Sequence, residues 1–228
     1  MDPVPTFRII SLFEDMPESE LRHIASMCTV RAYQRHAQIL SEHEETNDIF
    51  FVFSGNVRIA SYTEGGREVI FHDISDGGIF GEFSAIDRLP RSATAVAQTD
   101  CLLARMRAAQ FHEALVRNNG LAISLIELLV AKMRAMSERV VEVSALAVRE
   151  RVRRELLRLV TTRGVVVHGG VTISPAPTHY EIASRIGSHR EAVTREFSRL
   201  EVEKVIETSR RQIRILNIAQ LKAEVVGQ

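Results

Sequence analysis

Cysteine is scarce in this chain. Its 228 residues include two cysteines, Cys28 and Cys101, which lie far apart in the sequence. Two thiols cannot supply the four thiolate ligands of an iron–sulfur cluster or of an all-cysteine zinc site. Both lie among apolar residues, where a free cysteine is usually a buried packing residue. The eight histidines show neither HxxxH nor HExxH spacing, so we expect no metal site and no bound cofactor.

The chain also lacks a long apolar run. Its most apolar stretch, Leu121 to Val130, is about half the length that spans a bilayer and is interrupted by Ser124 and Glu127. The N-terminus shows no basic segment followed by an apolar run, so we expect no secretory signal. We therefore predict a cytoplasmic protein with no membrane partner.

Sequence motifs of enzymes are missing as well. We find no nucleophile elbow, P-loop, metal-ligand set or acid/base pair, so we predict that the chain is not an enzyme. Apolar residues make up 45% of the chain and charged residues 25%, a composition typical of folded proteins. The length suits one large domain or two modest ones.

The net charge of zero conceals an uneven distribution of charge. Residues 1–147 contain 14 Lys and Arg against 20 Asp and Glu, a balance of −6. Residues 148–228 contain 15 against 9, a balance of +6. A basic C-terminal third indicates a module that contacts a polyanion, although a solvated basic face would show the same balance.

Residues 30–110 carry the signals of many short strands. A buried strand is predicted from Asp48 to Gly55, and Gly65-Gly66 is predicted to turn between Val57–Tyr62 and Glu68–His72. Further glycines and short alternating segments follow. Strands this short, separated by turns this regular, are typical of a β-barrel or β-roll.

A helical pattern replaces the strand pattern after about Arg107. Apolar residues then recur at alternating spacings of four and three for more than three heptads, which favours a coiled coil that forms a dimer. An amphipathic helix on a globular core is the alternative. The residues of this heptad stripe are Ala122, Ile126, Leu129, Met133, Met136, Val140, Val143 and Ala147.

The C-terminal third predicts a winged helix-turn-helix. A helix over Val148–Thr161 and a Gly/Val-rich link over 164–171 are expected first. Thr178 to Glu181 and Ser188 to Glu191 each match a capping box, which predicts two short helices separated by Gly187. Two strands around the sequence Ser209-Arg-Arg211 complete the motif.

The first cluster of candidate binding residues lies between Gly81 and Thr94. The glycine permits close approach to the amides of a helix start, where a phosphate can bind. Arg91 offers paired donors for phosphate oxygens and Ser92 a hydroxyl, while Glu82 can accept from a sugar hydroxyl. We therefore predict a ligand that carries both a phosphate and a free hydroxyl. The alternative is an internal ion pair between Glu82 and Arg91 in a domain that binds no nucleotide.

The sequence of this segment, GEFSAIDRLPRSAT, resembles the phosphate-binding cassette of cyclic-nucleotide-binding domains, G-E-[LMF]-x-A-x(5)-R-[ST]-A-T. The resemblance implies a β-roll in which Glu82 binds the ribose 2′-hydroxyl and Arg91 binds the cyclic phosphate. The ligand-binding residues that it implies within the cassette are Gly81, Glu82, Phe83, Ser84, Arg91 and Ser92.

The second cluster lies on the second helix of the helix-turn-helix, where positions 190, 191, 194, 195 and 198 share one face. Arginine can read guanine in the major groove, and a carboxylate can accept from the cytosine amino group. Arg190, Glu191 and Arg195 are therefore predicted to read bases. The alternatives are that Glu191 only caps the helix and that one of the arginines is solvated and contacts no base.

The order of these modules resembles the family of the cyclic-AMP receptor protein and the fumarate–nitrate reduction regulator over residues 7–216. This resemblance implies an α+β fold with an N-terminal β-roll at 1–116, a long coiled-coil dimerisation helix at 117–147 and a winged helix-turn-helix at 148–228. It further implies a homodimer that binds double-stranded DNA at a TGTGA-like palindrome, with RNA polymerase as a partner through the 161–170 segment. Phosphate contacts are implied for Thr178, His189, Arg210 and Arg211.

Two features leave the effector open between cyclic AMP and cyclic GMP. Met136 and Ser137 occupy the positions of a Thr-Ser pair that touches the base in the receptor protein, and methionine lacks the hydroxyl. Ser92 follows Arg91, the residue implied to bind the cyclic phosphate, and its hydroxyl leaves cyclic GMP as a candidate effector. One rival hypothesis is a regulator of the same architecture that senses another effector or none. A regulatory subunit of a kinase or channel is a second rival, which the recognition-helix residues disfavour.

Overall fold

The computed structural model describes residues 4–167 and 170–223. The contacts divide the chain into two compact units, Met1–Arg134 and Ala135–Gln228, and this division falls inside the longest helix. The three-part division at residues 116 and 147 stays a prediction, and the two units are described in turn.

Two antiparallel four-stranded sheets form the β-roll of the first unit. The strands are β1 (Thr29–Tyr33), β2 (Gln38–Leu40), β3 (Ile49–Ser54), β4 (Val57–Tyr62), β5 (Glu68–Ile74), β6 (Ile79–Phe80), β7 (Thr94–Ala97) and β8 (Cys101–Met106). One sheet has the order β1-β8-β3-β6 and the other β2-β7-β4-β5. The predicted β-roll is confirmed.

Strand β3 connects the two apolar cores of this unit. Its residues from Ile49 to Phe53 are all buried, because successive side chains of a strand point to opposite faces and both faces are covered. Phe51 lies in one core cluster and Phe50 in the other. Phe50 stacks on Phe80 with ring centroids 4.9 Å apart. This double burial explains why the sequence of β3 is continuously apolar.

Short helices cover the roll and lead into the longest helix. They are α1 (Val4–Phe7), α2 (Glu18–Met27), α3 (Glu82–Asp87) and α4 (Ala108–Arg117), followed by α5 (Asn119–Ala145). Among the described residues no single helix combines the length and apolarity of a membrane crossing. Helices α4 and α5 meet that test only as a pair bent by 114°.

Helix α5 contains the predicted heptad stripe except for its last member, Ala147, which lies beyond the end of α5 as the N-cap of α6. Its 27 residues measure about 40 Å at 1.5 Å per residue. Leu121 and Leu125 are buried in the core of the first unit, whereas much of the stripe is solvent-exposed in the single chain. The exposed members are Ile126, Met133, Met136, Val140 and Val143, each at 50% or more.

The second unit is a winged helix-turn-helix, as predicted. Its elements after α5 are α6 (Val148–Arg163), β9 (Gly164–Val167), β10 (Gly170–Ile173), α7 (His179–Ile186), α8 (Arg190–Val202), β11 (Ile206–Ser209), β12 (Gln212–Ile215) and α9 (Ile218–Ala223). The sheet has the order β11-β12-β10-β9. Its core includes Val152, Ile182, Val193, Phe197 and Leu200.

Two local predictions for this unit are wrong. The Gly/Val-rich segment expected to be a link forms β9 and β10, because β10 pairs with β12 and buries Val171 and Ile173. The capping box at Ser188 is also wrong, since α8 begins at Arg190 with His189 as its N-cap. The amide of Ser188 instead donates to the Ala183 carbonyl at the end of α7. Residues 168–169 of the predicted link lie outside the described part.

Candidate functional site

Arg91 is held in a buried and polar corner of the β-roll. The side chain is 2% exposed. Its Nε donates to Thr46 Oγ1 at 3.0 Å, Nη1 to the Gly81 carbonyl at 3.1 Å and Nη2 to the Asp48 carbonyl at 2.8 Å. Burial lowers the pKa of Arg91 from its ordinary value, although Asp48 and Glu44 oppose the change. These contacts fix the guanidinium plane before any ligand binds.

Gly81 makes the close packing around Arg91 possible. Its φ of +81° lies in the left-handed region, and a Cβ there would approach the Asp48 carbonyl oxygen to 2.8 Å and Arg91 Nη1 to 2.9 Å. Such distances are too short for any side chain, and the backbone conformation itself favours glycine. The glycine of the cassette is therefore required by the position of Arg91.

Glu82 is paired with a lysine rather than with Arg91. The carboxylate is 4% exposed, and its Oε1 accepts from Lys132 Nζ at 2.7 Å. The internal Glu82–Arg91 ion pair considered from the sequence does not form among the described residues. Lys132 lies fifty positions away on α5, and its pairing with Glu82 was not predicted from the sequence.

The other cassette residues differ in exposure. Ser84 is buried, Ser92 is exposed and Phe83 is 46% exposed. A cavity of about 390 Å³ lies next to Lys132. Its other walls include Ile9, Leu128 and the segment from Asp73 to Ile79. Met136 and Ser137 are exposed on the part of α5 that belongs to the second unit.

The predicted base-reading residues share the outer face of α8. Arg190, Glu191 and Arg195 are exposed, whereas Val193, Phe197 and Leu200 on the opposite face are buried. The helical period therefore separates a charged outer face from an apolar inner face, as the sequence predicts.

Helix α7 is joined to α8 by a histidine whose role was not predicted from the sequence. His179 Nδ1 lies 2.9 Å from Thr194 Oγ1, and the ring lies 4.5 Å from that of Phe197. Burial and the nearby charge of Arg190 lower the pKa of His179. The exposed Thr178 caps α7, since its Oγ1 accepts from the Glu181 amide at 3.2 Å while its amide donates to Glu181 Oε2 at 2.8 Å. This capping box is confirmed.

The tip of the wing is basic and exposed. Arg210 and Arg211 lie in the turn between β11 and β12, and Arg211 adopts a φ of +63°. The carbonyl of Arg211 accepts from the Ala176 amide at 2.8 Å, which ties the turn to the segment before α7. His189, the N-cap of α8, is exposed and its side chain makes no capping bond.

Two buried glutamates and three partly exposed arginines join the end of α5 to α6 within the second unit. Glu142 is 5% exposed and pairs with Arg154 at 3.4 Å and with Arg158. Glu155 pairs with Arg139 at 3.0 Å and Arg158 at 3.1 Å. We call these residues the Glu142–Glu155 cluster.

Comparisons with known proteins identify both modules. The family model of the cyclic nucleotide-binding domain matches residues 30–118. The model of the Crp-like helix-turn-helix domain matches residues 150–224. Together these two matches include the cassette, α6 from residue 150 onwards, and the strands and helices from β9 to α9.

Similar proteins align with most of the chain. The "cAMP-activated global transcriptional regulator CRP" of Salmonella typhimurium is 25% identical over 188 residues, which is 82% of this chain and 89% of the relative. The structure of FixK2 from Bradyrhizobium japonicum aligns with a TM-score of 0.76 at 21% identity and covers 88% of this chain and 98% of that one. The c-di-GMP responsive regulator CLP of Xanthomonas campestris aligns with a TM-score of 0.78 at 17% identity, over 87% and 99%. By its two domain models, its relatives and its fold, the chain belongs to the CRP/FNR family of DNA-binding transcription regulators.

Proposed function

We propose that this chain is a homodimeric regulator whose affinity for a TGTGA-like palindrome depends on cyclic AMP or cyclic GMP. The observation that carries the proposal is the buried corner formed by Gly81, Glu82 and Arg91. Among the described residues, three of the five N–H groups of the Arg91 guanidinium have protein acceptors. One N–H on each terminal nitrogen remains for two phosphate oxygens.

The sugar side of the ligand is supported by Glu82. A buried carboxylate that already accepts from Lys132 Nζ still has acceptor capacity for a hydroxyl on its second oxygen. A ribose 2′-hydroxyl meets this requirement, and a bare phosphate does not. The relative from Salmonella typhimurium is cAMP-activated by its name, which supports a purine cyclic mononucleotide here.

The homodimer is supported by the exposed heptad stripe. Large apolar side chains such as Met133, Val140 and Val143 are at least half exposed in the single chain. A contiguous apolar patch of this kind on a folded protein marks an interaction surface. A second copy of α5 provides the matching a and d positions along the exposed part of the stripe, from Ile126 to Val143.

The DNA site is supported by the residues of the α8 outer face. Two recognition helices of a dimer reach successive major grooves when they lie about 34 Å apart, which requires a palindrome. Arg190, Glu191 and Arg195 supply the reading, while Thr178, His189, Arg210 and Arg211 supply phosphate contacts, since each of these side chains is exposed. RNA polymerase is the further partner through residues 161–170, and the cytoplasm is the location.

Effector and DNA are coupled through two arrangements of the dimer. A ligand shifts such an equilibrium only by its differential affinity for the two states. Cyclic nucleotide and DNA therefore strengthen each other's binding by the same factor. Met136 and Ser137, both exposed on α5, are the residues that we propose contact the base.

A parallel titration tests this function. Purified chain is titrated with cyclic AMP and cyclic GMP by calorimetry, and its affinity for a palindromic TGTGA duplex is measured with and without each nucleotide. One nucleotide should bind, should tighten DNA binding, and should no longer bind to Arg91→Ala. Full-strength duplex binding without any response to either nucleotide would overturn the sensor and favour a regulator with another effector or none.

A further inference from the structure

A fully buried arginine lies beneath the recognition helix. Arg153 of α6 is 0% exposed and is among the largest fully buried side chains of the described residues. Its Nε donates to Glu196 Oε1 of α8 at 3.1 Å. A buried charge needs a specific explanation, because protein cores are normally filled with apolar side chains and arginine is rarely fully buried.

The partner of Arg153 is next to a base-reading residue on the same helix. Glu196 is 6% exposed, and it lies on the inner face of α8 with Val193 and Phe197. The preceding residue, Arg195, is exposed on the outer face. The bond from Arg153 to Glu196 therefore acts on α8 from the side opposite to the DNA-facing side chains.

Arg199 of α8 and Glu203, the C-cap of that helix, extend the Arg153–Glu196 pair to a group of four charged side chains. Arg199 Nε donates to Glu203 Oε1 at 2.8 Å, and Arg199 Nη1 lies 3.8 Å from Glu196 Oε2. Glu203 Oε2 in turn lies 3.5 Å from Arg153 Nη2. Each carboxylate is thus shared between an arginine of α6 and an arginine of α8.

The energetics argue against a role in stability alone. Burial raises the pKa of Glu196 from its ordinary value even though Arg153 and Arg199 lie beside it. Desolvation of the carboxylate therefore outweighs the attraction of its partners. A buried ion pair of this kind is often matched or exceeded in stability by apolar residues of similar volume, and its best-attested use is to specify one register.

We propose that the Arg153–Glu196 pair is a positioning element that fixes the rotation of α8 about its axis and so determines which bases Arg190, Glu191 and Arg195 reach. Apolar contacts alone tolerate small rotations, whereas a hydrogen-bonded pair has directional geometry. A rotation of about 20° moves a group about 6 Å from the axis by about 2 Å, enough to break a hydrogen bond to a base. The inference rests on the proposed DNA-reading role of α8.

The test separates positioning from stability. The variants are Arg153→Met, Glu196→Leu and the double variant, each assayed for thermal unfolding and for binding to the preferred duplex and to single-mismatch duplexes. Each single variant should lower Tm, because it leaves one charge buried without its main partner. The double variant should recover most of the decrease in Tm that the single variants show, while its discrimination between the duplexes falls about tenfold. Its salt slope should stay unchanged, because the phosphate contacts remain.

Two further variants keep the inference testable. Glu196→Asp retains the charge but shortens its reach, so it should fold and lose part of the discrimination. Arg117→Gln with Glu113→Gln removes an exposed ion pair of α4 and should change neither readout.

Several outcomes would overturn the inference. One is a double variant with restored Tm and wild-type discrimination, since the pair would then be structural only. If the double variant stays unfolded, wild-type discrimination in Glu196→Asp has the same meaning. A wild-type chain that binds all duplexes equally would overturn the base-reading role itself, and the positioning role with it.

Discussion

Lys132 Nζ lies 2.7 Å from Oε1 of Glu82, which is 4% exposed. The carboxylate that we propose binds ribose is therefore neutralised by a lysine of α5 before any ligand arrives. This relationship connects the cassette to the helix that carries the heptad stripe. It also makes Lys132 a positioning residue for Glu82.

Lys132→Met should weaken cyclic-nucleotide binding by about tenfold or more. Without the ammonium group, the buried carboxylate lacks both its charge partner and the hydrogen bond that holds it in place, so it is less well positioned to accept from a ribose hydroxyl. Calorimetry with whichever of the two nucleotides binds the wild type in the parallel titration provides the measurement. Lys132→Arg keeps the charge and should bind almost normally, whereas equal affinity in Lys132→Met and the wild type would contradict this role.

Glu191→Ala should cost about 1–3 kcal/mol of DNA-binding free energy and relax the preference at one base pair of each half-site. Glu191 is exposed on α8, so its removal should leave Tm unchanged. Binding to a set of duplexes with single substitutions gives the readout. An equal loss of affinity on every duplex would show that Glu191 does not read a base.

Arg210→Ala tests a proposed phosphate contact, as Glu191→Ala tests a proposed base contact. Arg210 lies at the exposed wing tip, and loss of one phosphate contact should lower the salt slope of DNA binding by about one unit. The order of preference among duplexes should stay as in the wild type. A changed order would place Arg210 on a base rather than on the backbone.

Glu142→Gln should destabilise the second unit by about 1–3 kcal/mol, because it removes a charged partner from two arginines in a buried cluster. Burial lowers the pKa of Arg158, but the hydrogen bond and the charge of Glu142 more than offset this effect, so the pKa is raised overall. Amide hydrogen exchange of α6 provides the measurement. Glu138→Gln is the control, since Glu138 is exposed on α5, and equal protection in the two variants would contradict the prediction.

The second unit should lose stability as the pH falls below about 6.5, because of His179. Burial and Arg190 lower its pKa in the folded chain from the ordinary value of 6.5. The unfolded chain then binds a proton that the folded chain excludes, so stability is lost between the unfolded and the folded pKa. His179→Gln should show a smaller drop in Tm between pH 7.5 and pH 5.5. An identical drop in both proteins would contradict the assignment.

Elements with strong local signals were predicted from the sequence. The heptad stripe, the Thr178 capping box and the helix start at Gly81 each depend on spacings within a short segment, and the structure shows the long helix, the cap and the short helix that begins after Gly81. The β9–β10 hairpin was missed because its pairing with β12 connects segments about forty residues apart, and a run of valines beside glycine resembles a link.

The polar contacts of the interior were harder to predict. Lys132 and Glu82 are separated by fifty positions, and Arg153 and Glu196 by forty-three. A charged residue on a helix is normally solvated, so nothing in the local pattern distinguishes a buried member of such a pair. The capping box at Ser188 failed for a related reason, since the end of α7 uses the Ser188 amide.

The left-handed backbone at Gly81 limits how the ligand preference of this chain can evolve. Any other amino acid there would press on the Asp48 carbonyl oxygen and on Nη1 of Arg91, and so would displace the guanidinium rather than retune it. A substitution at this position therefore cannot adapt the chain to a new signalling molecule. Such adaptation has to proceed through other side chains of the roll, while the corner that we propose binds the phosphate stays unchanged.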